Sequence, residues 1–196
     1  HVAAGLPLPA GTVVVCDGGV SAPAADYFKI KVQGKGCHGS MPNAGVDPIT
    51  VAAQIITALQ EIHARELALS DEAVLTIGTI HAGLAANVIP DTVEMSGTIR
   101  TFDEDVRTLV KTRMEEIVKS IGTAFRADAQ VIHGKGCPVL DNDADLSACT
   151  VRYLQELLGP QRAFTQGQLT ARSDRKSPKV SGSEDFAYVS QEVPSI

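Results

Sequence analysis

The chain has 196 residues, 44% of them hydrophobic and 4% aromatic with no Trp, which fits one large or two small domains with cores of Val, Ile, Leu and Ala. A formal charge of −6 without any block of Lys and Arg argues against a nucleic-acid partner, because phosphate neutralisation needs clustered cations. No apolar run approaches the length that spans a bilayer, so no membrane partner is expected, and no secretory leader is visible.

The first clear periodicity is at Ala25–Val32, where Tyr27, Lys29 and Lys31 alternate with Phe28, Ile30 and Val32 and predict a strand. A Gly-rich stretch, GKGCHGSMPNAGVDP, runs from Gly34 to Pro48. Asp47 and Pro48 then read as a helix start, since Asp accepts bonds from free N–H groups and Pro suits the first helical position. Ile49, Ala52, Ala53, Ile56, Leu59 and Ile62 carry an apolar stripe to about Arg65. Ala73–Ile80 is a second predicted strand, His81–Asp91 a connector and Thr92–Phe102 a third strand. Asp103 caps a second helix, with Glu104 and Asp105 in its first turn where the dipole favours acids. Its buried side is read as Val106, Leu109, Val110, Ile117 and Ile121, and Gly122 as its end. Ala127–His133 is the last strand of the group, and Asp143–Leu158 a further helix. Gln166–Pro178 is polar and aperiodic, and reads as a loop.

The order β-α-β-β-α-β over about 24–135 predicts a ferredoxin-like unit, two helices on one face of a four-stranded antiparallel sheet. Residues 1–23 and 136–196 flank it and read as parts of a larger domain into which it is inserted. Four cysteines without a CxxC pair predict free thiols in a reducing compartment, and hence a cytoplasmic protein. Neither end of the chain reads as a natural terminus, and a piece of a longer protein is expected.

Chemistry is faint in the residues alone: no HExxH, P-loop, GxSxG or paired CxxC occurs. His38, Asn87 and Arg100 sit at strand ends and connectors, where a rigid scaffold often carries function. The alternatives are plain: a solvent-exposed loop His, a turn Asn before Pro90, and a solvated strand-end Arg.

Three segments in order, GKGCHGSMPNAGVDPITVAAQIITAL, GLAANVIPDTVEMSGTIRTF and SGSEDFAY, resemble the N-acyl amino acid amidohydrolases of the aminoacylase and dinuclear metallo-carboxypeptidase superfamily. The branch most similar is that of hippurate and auxin-conjugate hydrolases. The resemblance implies an α/β metallohydrolase catalytic domain carrying an inserted ferredoxin-like lid that also forms a homodimer. It implies amide hydrolysis of a small N-acyl amino acid by a water activated on two divalent metals, zinc or manganese, with cobalt or nickel as further options.

Residue by residue, the resemblance makes His1 a metal ligand, with no role beyond opening the chain as the alternative. His38 becomes a donor to the substrate carbonyl or its oxyanion in the partner's site. Asn87 becomes a second contact in that region, and Arg100 the fork that grips the substrate's free carboxylate. Gly182 and Ser183 line the cleft, shaping its backbone, while Glu184 and Asp185 remain open to a reading as paired acids. Cys37 stands where the family's motif usually has glycine, and His63, His81 and His133 match no motif. The metal-binding Cys and His, the Glu pair with the general base, and the final His of the family have no counterpart, so the chain alone is expected to be inactive. Two rivals stay open: a dipeptidase or carboxypeptidase of the same superfamily, and a non-enzymatic ferredoxin-like dimerisation module.

Overall fold

A computed structural model describes residues 12–16, 18–165, 167–168 and 182–196. The chain divides into two compact units, one from Pro23 to Val139 and one formed by the described residues up to Ala22 and from Leu140 onward. The flanking unit begins with two short strands, β1 (Val14–Cys16) and β2 (Gly19–Ala22).

The central unit opens on β3 (Ala24–Gln33), the two-residue β4 (Cys37–His38) and helix α1 (Pro48–Ala58). Phe28, Ile30 and Val32 are buried and Tyr27 and Lys29 exposed, as strand alternation requires. Asp47 caps α1 by accepting from Ile49 N at 2.9 Å, with Pro48 in the first turn. The helix stops at Ala58, earlier than its stripe predicts, and a single π-type turn (Ile62–Glu66) carries the chain on. Its buried side is Val51, Ala52, Ile55, Leu59 and Ile62, while Ile49 and Ala53 face outward. The stripe read from sequence is therefore rotated from the buried one, because α1 carries apolar residues on two adjacent faces.

Strands β5 (Ala73–Ala82), β6 (Val88–Ile89) and β7 (Thr92–Thr101) follow, then helix α2 (Glu104–Ala124) and strand β8 (Asp128–Cys137). Asp103 Oδ1 accepts from Asp105 N and Val106 N at 2.8 and 2.9 Å and starts α2. Val110, Met114, Val118 and Gly122 are its buried side, and Leu109 is 38% exposed, contrary to the sequence reading. Gly122 does not end the helix. A Cβ there would stand 2.7 Å from the Ala129 Cβ, so glycine is required by the close approach of α2 to β8. The left-handed residue that turns the chain is Arg126, at φ 64°.

The sheet order is β5-β7-β3-β8, all antiparallel, with α1 and α2 packed on one face. This is the ferredoxin-like arrangement. Its core joins Phe28, Ile30, Val93, Met95 and Ile99 of the sheet to Ile55, Leu59, Met114 and Val118 of the helices.

In the flanking unit β9 (Leu140–Asn142) pairs with β2, helix α3 (Ala144–Leu158) follows, and β10 (Ala163–Thr165) runs parallel to β1. Asp143 caps α3 through Leu146 N at 2.7 Å. Helix α4 (Ala187–Ser190) is a single turn. The stretch read as a loop from Gln166 to Pro178 lies almost wholly outside the described residues, as does His1. Among the described residues, no helix is long and apolar enough to cross a membrane.

Candidate functional site

The Gly-rich stretch is a rigid corner. Lys35 and Val46 exchange backbone hydrogen bonds at 2.9 Å in both directions, drawing the two ends of the stretch together. A Cβ at Gly34 would collide with Val46 O, and one at Gly45 with Lys35 O, so glycine is set by backbone approach at both positions. Asp91 ties the corner to the sheet: its carbonyl accepts from Gly34 N and its Oδ1 from Gly36 N, both at 2.8 Å.

From that corner β4 pairs with β6, Cys37 opposite Ile89 and His38 opposite Val88. Gly39 N donates to Asn87 O at 2.8 Å. The ladder thus places Asn87 one residue from the partner of His38, and both His38 and Asn87 are exposed. Cys37 fits this geometry because residue 45 has no side chain: its Sγ would lie 2.6 Å from a Cβ there. Cys37, Leu84, Val88, Asp91 and Glu94 line an adjoining cavity of about 770 Å³, which His81 also borders.

The His38 ring is oriented by Ser40, a residue the sequence reading passed over. Its Nδ1 lies 2.7 Å from Ser40 Oγ and accepts from Ser40 N at 3.2 Å. A backbone N–H can only donate, so Nδ1 carries no proton in this arrangement and the neutral ring bears its N–H at Nε2. The available signal was a Ser two residues beyond a His in a turn, where side-chain-to-backbone bonds are common.

Arg100 is elsewhere. On β7 it stands opposite Ala25 and Val74, whereas Thr92 of the same strand stands opposite Gln33, beside the corner. Eight residues of extended chain place Arg100 about 26 Å from that end. Its Nη1 is buried and has no hydrogen-bond partner. One copy of the chain therefore brings His38 and Asn87 together and keeps Arg100 apart from them.

Gly182 and Ser183 belong to the flanking unit, Gly182 exposed and Ser183 half-buried, just before α4. Glu184 and Asp185 use their carbonyls to accept from Ala187 N and Tyr188 N at 3.2 and 3.1 Å, and both side chains are exposed. Of the unmatched histidines, His63 Nε2 lies 2.9 Å from Ala73 O and His133 Nε2 2.6 Å from Glu115 Oε1. Among the described residues no group of three or more His, Cys, Asp or Glu converges as a metal ion requires. The described part of the chain does not by itself fit a metal centre.

The peptidase dimerisation domain of the M20 family matches residues 23–125. An N-acetyl-L-cysteine deacetylase of Bacillus subtilis is 38% identical over 94% of this chain and 41% of its own length. Thermostable carboxypeptidase 2 of Saccharolobus solfataricus is 33% identical over 96% of this chain and 44% of its own. Among solved structures, a dinuclear metal-binding M20 peptidase of Bacillus subtilis superposes with a TM-score of 0.69 at 26% identity, covering 94% of this chain and 44% of that one. The chain spans less than half the length of these relatives. Matched over more than half its length, and with the ferredoxin-like unit where the match falls, the chain belongs to the M20 peptidase family and carries its dimerisation domain.

Proposed function

We propose that the intact protein is a metal-dependent amidohydrolase that cleaves N-acyl amino acids. The observation that carries this reading is the β4–β6 ladder, which sets His38 opposite Val88 while Gly39 N donates to Asn87 O, with the His38 Nε2–H left free. A fixed neutral donor beside a carboxamide is suited to a carbonyl oxygen that gains charge during amide hydrolysis. Both donors are exposed, so the oxygen they serve belongs to a molecule docked against the corner.

Arg100 supplies the second half. Its guanidinium, whose buried Nη1 has no hydrogen-bond partner, is of the type suited to a carboxylate, the group that every N-acyl amino acid carries. At about 26 Å from the corner it cannot serve the same small substrate as His38 of its own chain. In a symmetric homodimer each substrate would meet His38 and Asn87 of one protomer and Arg100 of the other.

The surface for that dimer is the free edge of β5. Its sequence, AVLTIGTIHA, has no Pro, Lys, Arg, Asp or Glu, and Val74 and Ile80 are 54% and 50% exposed. The opposite edge, β8, carries Asp128 and Lys135.

In the intact protein two divalent metals would activate the attacking water. His1 is proposed as one ligand, and zinc or manganese as the metal. Gly182 and Ser183 would line the cleft. The 196-residue chain alone is proposed to turn over no substrate, as its described residues gather no metal-ligand set. Its four free thiols favour the cytoplasm.

The finer reading, hippurate- or auxin-conjugate-like specificity, is tested by a panel on the full-length protein: N-benzoylglycine, N-acetyl-L-cysteine and a dipeptide. The account expects kcat/KM at least tenfold higher for an N-acyl amino acid than for the dipeptide. The reverse order would install the carboxypeptidase reading, which the Saccharolobus solfataricus relative favours. No hydrolysis at all by a metal-loaded full-length dimer would leave a dimerisation module.

A further inference from the structure

Strand β4 ends at His38 and the chain turns at once. Met41 N donates to His38 O at 2.8 Å and closes a tight turn over His38, Gly39, Ser40 and Met41. The turn is seated on the strand beside it. Gly39 N donates to Asn87 O at 2.8 Å, and a Cβ on Gly39 would stand 3.1 Å from that oxygen. The Ser40 backbone is thus fixed relative to the His38 ring, although both residues are exposed.

Two polar atoms of Ser40 meet at one ring nitrogen. Its amide donates to His38 Nδ1 at 3.2 Å, and its Oγ lies 2.7 Å from the same atom. A hydroxyl can donate or accept, whereas a backbone amide can only donate. The amide therefore settles both roles: Nδ1 accepts, and the hydroxyl must turn its hydrogen toward the ring as well. A hydrogen bond donated into Nδ1 draws electron density from the imidazole and strengthens Nε2–H as a donor, since linked hydrogen bonds polarise one another. The polarity is opposite to that of an imidazole whose Nδ1–H is held by a carboxylate. In that arrangement Nε2 accepts protons and the ring is a base.

We propose that Ser40 is a positioning residue that commits His38 to donating from Nε2 and withholds it from service as a general base. The proposal rests on the reading of His38 as a donor to the substrate carbonyl. Ser40 acts only through the ring: its hydroxyl supplies the shorter of the two contacts, and without it the imidazole is held by the amide alone and can rotate out of line. A donor to a developing oxyanion is useful only when it is already aimed.

The test uses the full-length, metal-loaded protein, with isotope-labelled histidine and nitrogen NMR. Without substrate, at mildly alkaline pH, the wild type is expected to show His38 Nδ1 as an unprotonated, hydrogen-bonded nitrogen and Nε2 as a protonated one. Ser40→Ala should move both signals toward the averaged values of a free histidine. Ser40→Thr, which keeps the hydroxyl, should leave them in place. In amide hydrolysis Ser40→Ala should lower kcat about tenfold, the scale of one hydrogen bond, with KM within about twofold and Ser40→Thr within about threefold of the wild-type rate. In a His38→Ala background Ser40→Ala should cost nothing further, because a residue that acts through another is not additive with it. An unmoved ring spectrum, an unchanged kcat in Ser40→Ala, or a similar loss when the His38 ring is already gone would each overturn the proposal. The spectrum is read without turnover. A wild type that hydrolysed no amide would thus sink the enzymatic reading, and the spectrum alone would decide the role of Ser40.

Discussion

The central and flanking units solve the problem of a hydrophobic core differently. The central unit closes its own: Phe28, Ile30, Val32, Ile55, Leu59, Met95, Ile99 and Met114 are all at most 2% exposed. Among the described residues of the flanking unit the buried cluster is Ala22, Leu140 and Ala187, with Val151, Ala163 and Phe164 also buried. There Tyr153 and Leu157 on α3 remain 69% and 78% exposed, and Val20, Tyr188 and Val193 about half exposed at 45%, 55% and 52%. A sheet with two helices on one face is a complete layer pair, whereas short two-stranded pieces with one long helix are not. The central unit can therefore be a rigid carrier of side chains.

This contrast can be broken most sharply in the lid core. Phe28→Ala should cost about 3–5 kcal/mol, the usual scale for emptying a buried aromatic site, read as a shift in urea midpoint. Leu157→Ala in the described flanking unit should cost under about 0.5 kcal/mol, as for surface sites generally. Equal losses would dissolve the distinction. Next in size is His38→Ala in the full-length protein, expected to lower kcat at least about a hundredfold with metal content unchanged, the loss typical of one oxyanion donor. A near-normal rate would return the corner to a purely structural role.

A smaller effect concerns assembly. Val74→Lys with Ile80→Lys should shift the full-length protein from dimer to monomer in sedimentation velocity, because charge on a free edge opposes strand pairing. An intact dimer would move the interface away from β5.

The smallest is electrostatic. Burial pushes the Asp26 carboxyl up, but its hydrogen bonds to Arg107 and the charges of Arg107 and Lys111 outweigh burial and hold it below the usual aspartate range. The folded state thus binds this proton less readily than the unfolded chain. The network's contribution is present above about pH 4, the ordinary aspartate value, and is lost as pH falls through the lower folded value. Thermal unfolding followed from pH 6 to pH 3 should show this fall, flattened in Asp26→Asn. Identical pH slopes would remove Asp26 from the acid response.

The sequence made the lid legible because its elements are local and strongly patterned. Alternation in β3, the Asp47–Pro48 start of α1 and the Asp103 cap of α2 each depend on neighbours a few residues away. Where reading failed, the missing information was tertiary. Ile49 and Ala53 look like core on a helix that has two apolar faces, and only packing shows which is used. Gly122 looks like a helix end, yet it is demanded by the approach of Ala129 from the next strand. For the candidate site, His38 and Asn87 were visible as motif residues, but their adjacency depends on a two-residue ladder joining positions about fifty apart in the chain. The separation of Arg100 from that pair could be seen only once strand register was known.

The composite site is tested most directly by complementation. Full-length His38→Ala and Arg100→Ala variants are each expected to be nearly inactive. After dissociation and reassociation of an equal mixture, half the dimers would be mixed, each with one site that receives both native residues. Activity should recover to about a quarter of the wild-type value, as two-fold symmetry requires. No recovery, in a mixture shown to contain mixed dimers, would mean that His38 and Arg100 of one chain serve the same substrate, and would contradict the account.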